Sequence, residues 1–151
     1  MTGRREFIML HHSLTEDGET VSWAAIEKYH REHEGWRDIG YHAGVEVVTG
    51  NPALSDYRVQ ALYGRSPFEQ ASACPQGNMN VRALHACVVG NYDEHPPSLA
   101  TLKILVKRIV LPWMREYGIP PEQIVGHRDF NPAKSCPGKA FDLDLVRRLV
   151  R

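Results

Sequence analysis

Phe7-Ile8-Met9-Leu10-His11-His12 decides how the rest of the chain is read. Four consecutive apolar residues without polar alternation predict a short strand over Phe7 to Leu10, ending at His11 and buried on both faces. Strands of that kind lie at the centre of sheets covered by helices. Because successive side chains of a strand point to opposite faces, the tandem histidine sends its two rings apart, and at most one of them joins a given site.

Downstream of that strand, Ser22 predicts the N-cap of a helix in which Trp23, Ile26 and His30 recur at helical spacing, with Gly35 as its left-handed stop. Trp36 to Gly40 leads out as a loop. Val45 to Val48 and Arg58 to Tyr63 read as strands, the second alternating Val59, Ala61 and Tyr63 against Arg58 and Gln60. Thr49-Gly50-Asn51-Pro52 turns between them, so the pair predicts a hairpin. No period holds from Gly64 to Asn80, and a loop of that length inside a compact domain is expected to form the rim of a cleft. Leu84 to Val89 is a second buried strand. Ser98 then caps a long helix whose Leu102, Leu105, Val106, Ile109, Val110 and Trp113 form one apolar stripe; Pro112 is expected to kink it and Gly118 to end it. Ile124-Val125 is a short strand leading into Gly126-His127-Arg128-Asp129-Phe130-Asn131-Pro132-Ala133-Lys134-Ser135-Cys136-Pro137-Gly138, after which Asp142 caps a closing helix with Leu145, Val146 and Leu149. Strands interspersed with helices predict an α/β fold: a single domain over 1–151 with a central mixed β-sheet flanked by helices.

Composition narrows the function classes. The 151 residues suffice for one well-buried core and are too few for two ordinary domains. Lysine plus arginine and aspartate plus glutamate each number 18, so the basic field that drives phosphate-backbone binding is missing and nucleic acid is excluded as a main partner. Lys103, Lys107 and Arg108 break the apolar stretch from Leu99 to Met114, and no run reaches the roughly 18 residues of a bilayer span, so no membrane insertion is expected. Arg4-Arg5 before Phe7 imitates the start of a signal peptide, but the apolar part stops at His11 without a cleavage site, which predicts cytoplasmic synthesis. Cys74, Cys87 and Cys136 are odd in number and irregularly spaced. They fit a reducing compartment better than a disulfide framework, and at least one of them needs another purpose.

His127 and Cys136 lie nine positions apart across Asn131-Pro132, a spacing that a folded-back loop can bring to one metal ion. With one strand-end histidine they make two imidazoles and a thiolate, the donor set of an open zinc site. Its fourth position is left to a water acidified to a pKa of about 7, which points to hydrolysis. Spacing alone leaves two alternatives standing. The histidines can be ordinary core or surface groups, or Cys136 can be a nucleophile with His127 as its base, doing acyl transfer without metal.

Leu10-His11-His12-Ser13, Gly35-Trp36-Arg37-Asp38-Ile39-Gly40-Tyr41-His42, Val89-Gly90-Asn91-Tyr92 and the Gly126 to Gly138 loop supply wording that specifies more. In this order they resemble the type 2 N-acetylmuramoyl-L-alanine amidases, the group of phage lysozyme-amidases, bacterial wall amidases and peptidoglycan recognition proteins. The resemblance covers Phe7 to Asp142. It implies that His11, His127 and Cys136 hold Zn2+, that Tyr41 and Lys134 are the catalytic helpers, and that His12 and His42 are buried or supporting groups. The implied reaction is hydrolysis of the amide joining the lactyl group of N-acetylmuramic acid to L-alanine, with peptidoglycan or a muropeptide as substrate. Tyr41 would orient the water and Lys134 would meet the developing oxyanion. Whether the substrate is intact cell wall, as for a prophage endolysin-like enzyme, or soluble muropeptides recycled in the cytoplasm stays open; a lytic role would need holin-assisted release or cell damage to reach the wall, and a monomer is expected. The resemblance also admits a non-catalytic peptidoglycan-binding module.

Two departures from the family wording stand out. Ala73-Cys74-Pro75 occupies a place where relatives usually carry a histidine, and Ala83-Leu84-His85 replaces a Ser-Ile-Gly pattern. Cys74 is read first as an inert loop thiol, then as a substrate-facing group, and last as a fourth ligand that would close the metal; Cys87 is read as core.

Overall fold

Strand β1 (Phe7–His12) is the axis of the computed structural model, which describes residues 4–14, 22–49 and 58–151. It lies between β4 (Ala83–Val88) and β5 (Ile124–Gly126) and runs parallel to both. Beyond β4 come β2 (Ala43–Thr49), parallel to β4, and β3 (Arg58–Tyr63), antiparallel to β2, giving the order β3-β2-β4-β1-β5. The sheet is therefore mixed, as the sequence predicts. β1 runs two residues past its apolar stretch because the ladder with β4 continues through His11 opposite Cys87 and His12 opposite Val88. β4 starts and ends one residue earlier than its hydrophobicity suggests. The expected turn Thr49 to Pro52 lies, from Gly50 on, outside the described residues.

The two faces of the sheet do different work. Ile8, Leu10, Leu84, Ala86, Val88, Ala43, Val45 and Ile124 point to the face that holds the main core, under α3 (Leu99–Leu105), α4 (Leu111–Tyr117) and α5 (Leu143–Leu149). Ser98 and Asp142 cap α3 and α5 through their side chains, and Gly118 ends α4 at φ 67°. The predicted apolar stripe from Leu102 to Trp113 is buried throughout. Where the sequence expects Pro112 to kink this helix, a π turn over Val106–Val110 joins α3 to α4, and the Leu111 N–H reaches back five residues to the Val106 carbonyl. Proline has no N–H to give and its ring collides with the carbonyl four residues earlier, here that of Arg108, so the turn before it widens.

On the opposite face, Met9, His11, His85, Cys87 and Gly44 are covered by α1 (Trp23–Glu32) and by residues 64–82. The stretch expected to be an irregular rim ends in a tight turn over Gln76–Asn78 and one helical turn, α2 (Met79–Arg82), that runs directly into β4. Four residues are too few to reveal a period, which is why α2 is silent in the sequence. Arg5, 4% exposed, ties this rim down by donating to the carbonyls of Pro67, Glu69, Val81 and Ala83. Among the described residues no helix is long and apolar enough to cross a membrane.

Gly44 lets α1 approach the sheet, since a Cβ there would fall against the Trp23 ring and the Cys87 carbonyl oxygen. Gly44→Ala is expected to destabilise the fold by about 2 to 3 kcal/mol through overpacking, read from the denaturant midpoint. A loss under about 0.5 kcal/mol, the scale of a surface substitution, would contradict this packing.

Candidate metal centre

Three segments converge at the carboxyl ends of β1 and β5, the place where parallel sheets collect their functional groups. β1 delivers His11; the turn after β5 delivers His127; the loop that follows folds back to deliver Cys136. Their ligand atoms all lie within 4.8 Å of one another, with His11 and Cys136 buried and His127 partly open. His11 Nδ1 stands 3.6 Å from Cys136 Sγ, and the rings of His11 and His127 are 4.9 Å apart between centroids.

The loop bearing Cys136 is held from both sides. Arg128 donates its backbone N–H to the Cys136 carbonyl and its guanidinium to the carbonyls of Gly138 and Phe141. Asp93, just after Tyr92, accepts from Ser135 Oγ at 3.0 Å and from the Lys139 N–H at 2.9 Å. The His12 N–H points at Cys136 Sγ from 3.3 Å, so a backbone donor already faces the sulfur where negative charge would settle.

His11, 1% exposed, is held at its other nitrogen by a second histidine. Its Nε2 is 2.8 Å from His85 Nδ1, and His85 Nε2 is 2.8 Å from the Met79 carbonyl oxygen. His42 joins the same network by accepting the His85 backbone N–H on Nδ1 and facing the Glu69 carbonyl with Nε2. His12 turns the other way, as strand alternation requires, and accepts the Tyr92 N–H. His12 and His42 are thus buried supporting groups. His85 is the residue that the sequence reading passed over as a mere departure. The available signal was a histidine inside the otherwise apolar Ala83–Val88, a buried polar group that has to find a partner.

Tyr41 and Lys134 flank the cluster differently. The Tyr41 ring lies 5.2 Å from that of His11, and its phenol lies against the Cys87 thiol. Lys134 is exposed on the loop, close enough for its charge to act on both His127 and Cys136. Cys74 is fully buried among Met9, Met79, Ala83 and Val125 and stands outside the three-residue cluster, and Cys87 is core against Trp23 and Ile39.

Burial dominates the electrostatics. It holds His11 well below the ordinary value of 6.5, lowers His42 to about 4 and His85 to about 3, and lowers His127 with help from Lys134. It pushes the Cys136 thiol up to about 12 against the opposing pull of the His12 N–H, Lys134 and Arg128. Tyr41 rises well above 10 for the same reason, with the Cys87 and Cys136 sulfurs adding to it. At neutral pH the cluster presents neutral imidazoles and a protonated thiol. Two nitrogen donors and a sulfur that can ionise suit a borderline-soft divalent cation, and His11 Nδ1 and Cys136 Sγ already face each other across the space such an ion would take.

Comparisons with known proteins give the chain a family and a fold. A family model described as N-acetylmuramoyl-L-alanine amidase matches residues 2–139. A human N-acetylmuramoyl-L-alanine amidase is 27% identical over 124 residues; these are 82% of this chain and 19% of the length of that protein. Among solved structures, the N-acetylmuramoyl-L-alanine amidase LysC from Clostridium intestinale URNW superposes with a TM-score of 0.71 at 20% identity, covering 97% of this chain and 85% of its own. A mutant of Drosophila PGRP-LB in complex with tracheal cytotoxin superposes with a TM-score of 0.71 at 20% identity, covering 96% and 82%. At that identity the structural likenesses show a shared fold.

Two outcomes follow from the charge states. Metal uptake at pH 8 is expected to release about one proton per ion, from Cys136, since both imidazoles lie below 6.5 and are neutral there while the thiol is not ionised; calorimetric zinc titrations in buffers of different ionisation heat measure it, and release of none would mean an ionised thiol. His11, His42 and His85 have folded values below the unfolded 6.5, so their neutral burial favours the fold fully above about pH 6.5 and progressively less as pH falls towards 4 and then 3. The thermal midpoint of the metal-free protein should drop steeply across that window, and a flat profile from pH 7 to 4 would contradict it.

Proposed function

The chain belongs to the N-acetylmuramoyl-L-alanine amidase family, and from that premise we propose that it is a zinc-dependent amidase. It would cleave the amide between the lactyl group of N-acetylmuramic acid and the L-alanine of the peptidoglycan stem. The observation behind this reading is the gathering of two imidazoles and one thiol from positions 11, 127 and 136 at one partly open point, beside a tyrosine and a lysine.

His11 through Nδ1, His127, and Cys136 through Sγ would hold the zinc. Bound there, the ion supplies Lewis acidity towards a carbonyl oxygen and lowers the pKa of water, which is what an unreactive amide needs. The chain's own residues do the rest. Cys136 contributes one negative charge to an otherwise neutral donor set, and the His12 N–H steadies that charge. Lys134, exposed at the edge of the cluster, brings a positive charge to the scissile carbonyl oxygen as negative charge develops on it. Tyr41 keeps its proton at neutral pH because burial disfavours the phenolate. It therefore acts as a hydrogen-bond donor and positioning group for water or substrate, and not as a free base.

A thiol hydrolase would also place an imidazole next to a thiol, and His11 Nδ1 does stand beside Cys136 Sγ. An activated cysteine, however, has a lowered pKa, whereas burial drives Cys136 to about 12. A non-catalytic binding module needs no metal ligands, whereas this chain brings three donor groups together with a lysine at their edge.

With purified peptidoglycan as substrate, His11→Ala is expected to lose bound zinc and nearly all release of stem-peptide amines. Lys134→Ala should keep its zinc and lose about 100- to 1,000-fold in turnover, the scale of one oxyanion donor. Chelation should abolish activity and zinc restore it. Undiminished hydrolysis by His11→Ala, with zinc content measured on the same sample, would overturn this reading.

A further inference from the structure

Every polar group in the chain from His11 to α2 can be assigned a direction from its partners. A carbonyl oxygen only accepts, so at 2.8 Å from the Met79 oxygen the His85 Nε2 must carry a hydrogen. The same carbonyl, of the first residue of α2, also accepts the N–H of Ala83 at the helix's C-cap, which fixes it within that single turn. His85 is wholly buried; the groups acting on it are the Arg5 cation and the neutral rings of His42 and His127, so among the described residues no carboxylate supports a second proton on the ring. Its Nδ1 is then a bare lone pair. His11 Nε2, 2.8 Å away, has to be the donor, which leaves His11 Nδ1 without a hydrogen on the side facing Cys136 Sγ.

We propose that His85 is the positioning residue of the metal centre: it holds His11 in the Nε2–H tautomer and so aims the Nδ1 lone pair at the ion. The inference rests on the zinc reading above and adds a residue to it. A metal-bound histidine needs a partner on its other nitrogen to fix ring and tautomer. Here that partner is a second imidazole, itself oriented by a carbonyl of α2 and, through its backbone, by His42. The relay joins the rim helix to the ligand, so α2 cannot shift without disturbing His11. Glutamine at position 85 would preserve the pattern, with its amide oxygen accepting from His11 and its NH2 donating to Met79. Leucine would remove both functions.

The test uses the full chain, metal-free and zinc-loaded. Two-bond 1H–15N correlation at neutral pH is expected to show His11 protonated on Nε2 in both states, and on Nδ1 in neither. Zinc affinity, read by competition with a chromogenic chelator, should fall about 10- to 100-fold in His85→Leu and return to within about threefold of wild type in His85→Gln. If His85→Leu fails to fold, the wild-type tautomer and the glutamine variant decide. A wild-type His11 carrying its hydrogen on Nδ1, or zinc binding within about twofold of wild type by folded His85→Leu, overturns the role of His85 while leaving the zinc reading intact. A wild-type protein that takes up no zinc overturns both.

Discussion

The parallel pairing of β1 with β4 governs everything else in this molecule. Its register sets His11 opposite Cys87 and Met9 opposite His85, so on one face of the sheet the ladder itself lays a prospective ligand beside the histidine that orients it. The alternation of side chains along β1 then separates the labour. Ile8 and Leu10 go to the core under α3 and α4, His12 turns away to meet the Tyr92 N–H, and His11 alone faces the cleft. A slip of one residue would exchange these faces and bury the wrong imidazole against the helices.

Desolvation is the second constraint. Five histidine rings and a thiol lie in or beside an apolar sheet, and among the described residues Asp93, acting on His12, is the one carboxylate that supports a proton on any of the buried rings. The structure satisfies them instead with backbone: the Met79 and Glu69 carbonyls, and the N–H groups of His12, His85 and Tyr92. The cost is that the histidines can remain buried only while neutral, and that Cys136 keeps its proton until something of opposite charge arrives. The same environment that makes an unpaired charge expensive makes a cation at the thiol's end of the cluster favourable. Function and fragility towards acid thus have one physical origin.

Much of this was legible in the sequence where the signal was local. The β1 apolar run, the caps at Ser22, Ser98 and Asp142 and the stop at Gly118 each express a rule about a few neighbouring residues, and each stands where it was expected. The three candidate ligands were legible from the wording around them, and spacing alone was too weak to single them out. What escaped was long-range or too short to show a period. The His11–His85 contact joins residues 74 positions apart, α2 is a single turn, and Arg5 finds its carbonyls more than sixty residues away. Pro112 announced a disturbance correctly, but its form, a π turn over Val106–Val110, depends on how the helix lies on the sheet.

Zinc K-edge X-ray absorption of the zinc-loaded protein addresses the central claim most directly. One sulfur at about 2.3 Å and two imidazole nitrogens at about 2.0 Å, with a further light atom completing four-coordination, is the result expected if His11, His127 and Cys136 hold the ion. A shell without sulfur, or with two sulfurs, would contradict it.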